Sequence, residues 1–405
     1  MKVIIHRGTQ EIGGNVVEIS ACNTRIIVDA GIELDEGKNP IDFQAIIDSN
    51  INAVLVSHYH PDHVELLNRT KNLPAIYMGQ KAYSIYQKAK EYRRDMLGFI
   101  PTGWLKNEQS FKIGDITITP YLADHSAFDA YSFLFECEGK KIFYTGDFRG
   151  NGRKSFTRYL ESLPVKVDVV ICEGTTLSRN ERKNVTEFDL EKIIFEHIKT
   201  CDNQVFVLSS AMNIDRIVTA YKAAKQTGRI MLQDIYTSML TEECKEYGIP
   251  NPKTFSDVYT FTFEKLPDDT HRLVRDKYKN HFISRKSIAS KKYVMYIRSN
   301  RRVLEYLKNL NKEKPLQDSI LLYSMWEGYK KQIAMQQFLD ELSSMGIKCM
   351  SAHVSGHADS DDIRKLIGRL APSAIMPIHT ENAEWFENEY GGCCIVITNS
   401  VIEVN

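Results

Sequence analysis

The chain has no excess of charge of either sign: 52 lysines and arginines meet 52 aspartates and glutamates over 405 residues. That balance argues against a uniformly basic coat for nucleic acid, though not against a local basic groove. No run of eighteen apolar residues occurs, so no membrane span is expected. The opening residues, Met1-Lys2-Val3-Ile4-Ile5-His6, lack the apolar core and small-residue cleavage site of a signal peptide and read as a first strand. Cysteine occurs eight times and never as Cys-x-x-Cys, and the adjacent Cys393 and Cys394 are poorly placed to bond to each other. Buried reduced thiols in a cytoplasmic protein are therefore expected. Internal repeats and low-complexity segments are missing as well.

What is present fits a globular protein of two domains. Short apolar runs at Val3–His6, Val16–Ile19, Arg25–Val28, Ala53–Val56, Ile116–Pro120, Ser132–Glu136, Lys141–Thr145 and Val167–Cys172 read as strands. A helix is expected over Lys81–Met96. After Arg179 strands alternate with helical patterns: Val205–Leu208, a helix from Asn213 to Lys225, Arg229–Leu232, a helix around Tyr236–Tyr247, Ser319–Tyr323, and a helix from Tyr329 to Met345. That order predicts a separate parallel sheet. The layout is an outer α/β domain made of residues 1–178 and 346–405, with a second α/β domain, 179–345, inserted.

Histidine is concentrated at one place, Ser57-His58-Tyr59-His60-Pro61-Asp62-His63. A core does not favour unpaired imidazoles, because desolvating them is costly. The cluster follows the apolar run Ala53–Val56, at a strand's end, where active-site residues of α/β sheets gather. His58 and His60 are two apart, so an extended loop lets both point one way. Asp62 and His63 follow the turn and can face a second ion. His125, Asp147 and His379 each stand just beyond another apolar strand. Imidazole and carboxylate are the ligands zinc accepts, usually four in tetrahedral array. The alternative is a set of unrelated capping residues, which the shared placement of all seven disfavours.

His-x-His-x-Asp-His followed by single His, Asp and His sites resembles the metallo-β-lactamase superfamily. The resemblance implies an αββα sandwich and two Zn2+ per chain. It assigns His58, His60 and His125 to one ion, Asp62, His63 and His379 to the other, and Asp147 to the bridge. Three later motifs narrow the likeness: Val170-Ile171-Cys172-Glu173-Gly174-Thr175-Thr176, His353-Val354-Ser355-Gly356-His357-Ala358 and Pro377-Ile378-His379-Thr380-Glu381. With the insert between them they are similar to the β-CASP branch of nucleic-acid nucleases. Gly8-Thr9-Gln10-Glu11-Ile12-Gly13-Gly14-Asn15 is similar to the ribonuclease J family within it. Gly174 departs from that pattern, where serine is usual, and so does Thr380, where glycine is usual. The chain also stops soon after His379, short of the family's C-terminal domain, so processivity and assembly are not carried over.

The resemblance implies hydrolysis of phosphodiester bonds in single-stranded RNA, with single-stranded DNA as a second possible substrate, by a metal-activated hydroxide. Asp62, Glu173 and His357 are then the catalytic set. His357 gives the leaving oxygen its proton as general acid, and Glu173 orients it or else merely caps the following turn. His353, with Ser355 beside it, binds substrate phosphate or else is a turn residue. Ser209 and Ser210 precede a helix whose N-terminus either receives a phosphate or is simply capped by Ser210 or Asn213. The stretch His271–Arg302 holds eleven lysines and arginines, among them Lys291, Lys292, Arg301 and Arg302, against one acid, Asp276. Tyr278, Phe282, Tyr293 and Tyr296 are interleaved with them, an arrangement that suits stacking on unpaired bases. A solvated charged face is the plainer alternative. Two rival functions follow: hydrolysis of a small ester, thioester or lactone, against which the long basic insert counts, and non-catalytic RNA scaffolding, against which the complete ligand set counts. Oligomeric state and the choice between endo- and exonuclease are not fixed by the residues.

Overall fold

The computed structural model describes residues 1–34, 41–179, 185–263, 268–392, 395–396 and 401–404. Cys393 and Cys394 lie outside them. The chain forms two compact units, Met1–Lys183 with Gly356–Asn405, and Asn184–Ser355.

The first unit contains two seven-stranded sheets. One runs Val401–Glu403, Lys2–Arg7, Val16–Ala21, Thr24–Val28, Ala53–Leu55, Ala75–Gly79, Gly103–Leu105. The other runs Ile395–Val396, Ala374–Ile378, Val169–Glu173, Lys140–Tyr144, Ala130–Cys137, Ile116–Ala123, Phe111–Ile113. Each is antiparallel on one side and parallel on the other. Alternation along the strands explains how the sheets pack. Ile142, Tyr144, Val169, Ile171 and Met376 enter a core shared with Val17, Ile19, Ile26 and Leu55 of the other sheet. Their neighbours Phe143, Val170, Cys172 and Ile375 face the opposite way, onto Tyr159, Ile363, Leu366 and Phe386 from three helices. The helix Gln80–Arg93 packs on the first sheet, and the layers are the expected αββα sandwich. That helix stops three residues before the expected Met96 because Arg94 turns left-handed, at φ +60°.

The second unit is a six-stranded parallel sheet in the order Val258–Phe261, Ile230–Asp234, Tyr293–Ile297, Val205–Leu208, Ile320–Tyr323, Lys348–Ser351. Tyr293–Ile297 is a central strand with all five side chains buried, although it sits inside the most basic stretch of the chain. The expected helix Tyr236–Tyr247 ends at Glu242, and a single turn of 3-10 helix, Lys245–Tyr247, follows. Lys348–Ser351 pairs with Ile320–Tyr323, so this unit runs on to Ser355, past the expected border at 345.

Candidate metal centre

The heptapeptide Ser57–His63 leaves the carboxyl end of the strand Ala53–Leu55. Tyr59 is fully buried, and its hydroxyl accepts the Phe128 amide at 2.9 Å, which anchors the loop. Pro61 opens a one-turn helix, Pro61–Val64, where proline's missing N–H is harmless. The turn separates His58 and His60 from Asp62 and His63. Three main-chain bonds tie it to the loops after the first and third strands: Asn15 N to Asp62 O, Ala30 N to His63 O and Ile32 N to Pro61 O, at 3.0, 2.7 and 3.1 Å. Gly31 is required for this approach, since a Cβ there would fall 1.6 Å from the Asp62 carbonyl oxygen.

His125, Asp147 and His379 come to the same edge from the ends of the strands Ile116–Ala123, Lys140–Tyr144 and Ala374–Ile378. Asp147 is central. Its Oδ2 lies 3.3 Å from His63 Nε2, 3.6 Å from His58 Nε2 and from His357 Nδ1, and 3.9 Å from His125 Nε2 and from His379 Nε2. His60 Nδ1 is 3.1 Å from His58 Nε2 and 3.3 Å from His125 Nε2. Asp62 Oδ2 is 3.2 Å from His379 Nε2. Tetrahedral zinc with ligands at about 2.0–2.1 Å places ligand atoms about 3.3 Å apart, and these separations cluster there. His63 Nε2 and Asp147 Oδ1 are buried and make no hydrogen bond. Buried polar atoms are rarely left so, and a cation between them satisfies both. The donor set fits a metal site in two groups, His58, His60 and His125, and Asp62, His63 and His379, joined by Asp147.

Asp29, which the sequence reading did not single out, orients this set. Its carboxylate accepts from Ser57 N at 2.7 Å, Ser57 Oγ at 2.8 Å, His63 Nδ1 at 2.7 Å and Tyr144 OH at 2.7 Å. His63 thus carries a proton on Nδ1, shared with Asp29, and Nε2 is the nitrogen turned to the site, bared once it ligates. Ser57 Oγ spends its hydrogen on Asp29 and therefore accepts from His58 Nδ1 at 3.1 Å, which leaves His58 Nε2 bare too. Thr175 does the same for His379: its hydroxyl donates to the His379 carbonyl at 3.2 Å and accepts from Nδ1 at 2.7 Å. Asp29 does not differ locally from an ordinary turn residue, and Thr175, though it stands in the motif Val170–Thr176, carries no sign of this role in its spacing.

Burial, with neighbouring imidazoles adding to it, holds His58 and His125 well below their ordinary pKa and His60 at about 4. All three are neutral near pH 7, the form that ligates. His63 is the reverse: burial opposes its charge, but Asp147, Asp29 and Asp62 outweigh burial and raise it well above the ordinary value. The same carboxylates favour a metal cation.

His357 stands at the rim, its side chain 19% exposed where those of His58, His63, His125 and His379 are at most 1%. Its Nδ1 is 3.3 Å from Glu173 Oε2. Glu173 is itself held by the amides of Phe148 at 2.9 Å and Thr175 at 3.2 Å. Burial opposes protonation of His357, but Glu173 and then Asp147 outweigh it, and its pKa is raised.

The other predicted contact residues, His353, Ser355, Ser209, Ser210, Lys291, Lys292, Arg301 and Arg302, belong to the second unit. Ser209 is buried and Ser210 exposed. Asn213 is the helix cap, its side chain accepting from Arg216 N at 3.0 Å. His353 is half-buried, between two carbonyls held by a buried network that the sequence reading missed. Arg216 donates to Val354 O and to Glu187, each at 3.0 Å, and Ser324 Oγ donates to Ala352 O. One expectation fails. Tyr278, Tyr293 and Tyr296 are only 3%, 1% and 1% exposed. They are buried instead of offering faces to bases: Tyr293 and Tyr296 belong to the buried strand Tyr293–Ile297, and Tyr278 ends the helix Asp268–Tyr278 with its hydroxyl donating to Glu242 at 3.3 Å. Lys291, Lys292, Arg301 and Arg302 are exposed. Lys277, Arg285 and Arg298 are paired with Glu242, Glu313 and Asp234.

Residues 24–214 match the β-lactamase superfamily domain, and residues 346–390 match the Zn-dependent metallo-hydrolase RNA specificity domain. The chain is 24% identical over 408 residues to ribonuclease J of Mycoplasma genitalium, covering 94% of this chain and 68% of that protein. An RNase J-like protein of Methanocaldococcus jannaschii is 25% identical over 255 residues, 57% of each. Among solved structures, a protein of unknown function from Enterococcus faecalis V583 superposes with a TM-score of 0.78 over 100% of this chain and 99% of that one, at 21% identity, which supports the fold alone. With the sandwich, the inserted parallel sheet and the shared ligand edge already in place, these matches show a β-lactamase superfamily domain together with a Zn-dependent metallo-hydrolase RNA specificity domain, an arrangement consistent with the β-CASP, ribonuclease J-like branch.

Proposed function

We propose that this chain is a cytoplasmic ribonuclease that hydrolyses phosphodiester bonds of single-stranded RNA with two zinc ions per chain. The observation that carries the reading is the convergence of four imidazoles, His58, His63, His125 and His379, on one Asp147 oxygen, within 3.9 Å, beside the rim pair of His357 and Glu173. Catalysis falls to the first unit and RNA guidance to the second. His58, His60 and His125 would hold one ion, Asp62, His63 and His379 the other, with Asp147 between. Zinc held by these residues would supply Lewis acidity, lowering the pKa of a water and offsetting charge on the phosphate. Asp29, Ser57 and Thr175 keep the imidazole tautomers ready for that load. His357, charged through Glu173, donates a proton to the departing ribose oxygen, and Glu173 holds its ring in place. RNA as substrate is supported by the match to the RNA specificity domain and by the relatives named for ribonuclease activity. The six described cysteines are free thiols, in keeping with a reducing compartment.

The test is digestion of end-labelled linear RNA carrying a 5′-monophosphate or 5′-triphosphate, of circular RNA, and of single-stranded DNA, alongside a thioester and a lactone. Cleavage of RNA that chelator abolishes and zinc restores is expected. Turnover of the small esters alone would reassign the site, and cleavage of the circle reports endonucleolytic action.

A further inference from the structure

The motif His353-Val354-Ser355-Gly356-His357-Ala358 has a glycine directly before the rim histidine. Gly356 is where the chain re-enters the first unit. Its carbonyl oxygen lies 2.6 Å from His125 Nδ1. A carbonyl only accepts, so Nδ1 carries the proton, and the bare Nε2 faces His60 and Asp147. The absent side chain matters too. A Cβ at 356 would fall 2.9 Å from Ser126 Oγ, 3.1 Å from Ser126 Cβ and 3.8 Å from the His125 ring. A side chain at 356 would thus make Ser126 or this segment shift by a few tenths of an ångström, and the φ of Gly356 is not in the left-handed region. The next two residues are gripped as well. His357 Nδ1 meets Glu173 at 3.3 Å, and Ala358 O accepts from Thr176 Oγ1 at 2.6 Å. Three consecutive residues are therefore fastened to a ligand, to the carboxylate behind the rim histidine and to the turn after it.

We propose that Gly356 is a positioning residue of the metal centre. Its carbonyl sets the tautomer and angle of His125, and the same short segment sets His357, so metal binding and acid placement share one backbone anchor. The inference rests on the metal reading above. Groups that orient a ligating histidine typically contribute 10- to 100-fold in metal affinity.

The test uses the full chain and measures zinc and cobalt dissociation constants by chelator competition, independent of activity. Gly356→Ala should weaken binding about 10- to 100-fold. The double variant Gly356→Ala/Ser126→Gly removes the clashing atoms and should recover most of that loss. Wild-type affinity in Gly356→Ala, or a double variant as weak as the single one, overturns the inference. His125→Ala is the control for the underlying reading. If it binds metal as the wild type does, the ligand assignment itself fails; if it loses metal while Gly356→Ala does not, only the role of Gly356 fails. Should Gly356→Ala not fold, nitrogen-15 shifts of His125 in the zinc-loaded wild type decide the matter. Protonated Nδ1 with metal-bound Nε2 is expected, and the opposite assignment overturns the proposal.

Discussion

Asp29 satisfies four donors with two oxygens, and two of those donors sit on or behind ligating histidines. Replacing one oxygen by an amide puts a donor where only acceptors are wanted. Asp29→Asn should therefore weaken metal binding about 10- to 100-fold. It should also destabilise the fold, by about 1–3 kcal/mol for the buried donors left unpaired. Chelator competition and urea unfolding read the two effects separately, and unchanged metal affinity would remove Asp29 from the orienting network. His357 poses a different question, because it also lies within ligand distance of Asp147, Glu173 and His379. As general acid it acts on the leaving group. His357→Ala should then keep the metal and lose RNA cleavage by about two to four orders of magnitude. A nitrophenyl phosphodiester, whose leaving group is stable as an anion, should suffer far less. Equal loss on both substrates together with missing metal would make His357 a ligand instead.

At the scale of elements, the ligand loop is held by its neighbours as much as by its own residues. Gly31 lets the chain after Thr24–Val28 lie against the Asp62 carbonyl, where a Cβ would come within 1.6 Å. Gly31→Ala should thus displace Asp62 and lower the metal content, although Gly31 touches no metal; a fully loaded Gly31→Ala protein would show that the loop can move aside. Farther along the same sheet, Glu18 accepts from Arg25 at 2.8 and 3.1 Å and meets His6 at 3.0 Å. Burial works against its charge, but the hydrogen bonds from His6 and Arg25 prevail and hold its pKa at about 2. A carboxyl lowered on folding stabilises above its ordinary pKa and loses that contribution as pH falls toward the folded value. Glu18→Gln should cost about 1.5–3 kcal/mol near neutral pH, with the difference from wild type shrinking below about pH 4.5. A difference independent of pH would count against an ionic role. The candidate site was legible in sequence because seven histidines and aspartates, four of them in one loop, follow apolar strands, and strand ends can be read from composition. Asp29, Thr175 and Gly356 were not, because what they do depends on which loops the sandwich brings together. Tyr293–Ile297 was obscured for a related reason: a buried strand between lysines and arginines looks, residue by residue, like part of a basic surface.

Over the whole molecule, equal numbers of acidic and basic residues hide an uneven distribution. The run from His271 to Arg302 keeps eleven cations against one acid. Lys277, Arg285 and Arg298 are engaged with carboxylates outside the run, at Glu242, Glu313 and Asp234, and Arg301 with Glu305. With all three of its tyrosines buried and only Phe282 partly exposed, the segment has little to stack on RNA, and charge is its main means of holding it. Arg301 meets Glu305 at 2.9 Å, but both side chains are well exposed, at 89% and 58%. Such a pair is worth little in water and yields readily to a phosphate. Charge attraction of this kind has a signature: affinity falls with salt, with a slope of about 0.7 per phosphate neutralised on a single strand. Reversing Lys291, Lys292, Arg301 and Arg302 together should therefore weaken RNA binding and flatten that slope by up to about 3. Metal content should not change, because none of the four belongs to the ligand set. Titrating a labelled single-stranded RNA at several salt concentrations, with metal counted in the same samples, separates the cases. Equal affinity and equal slope in the reversed variant would make the segment an ordinary solvated face and move the search for the RNA path to other surfaces. A weaker affinity with an unchanged slope would point to misfolding of the second unit, which unfolding curves of the two proteins would show directly.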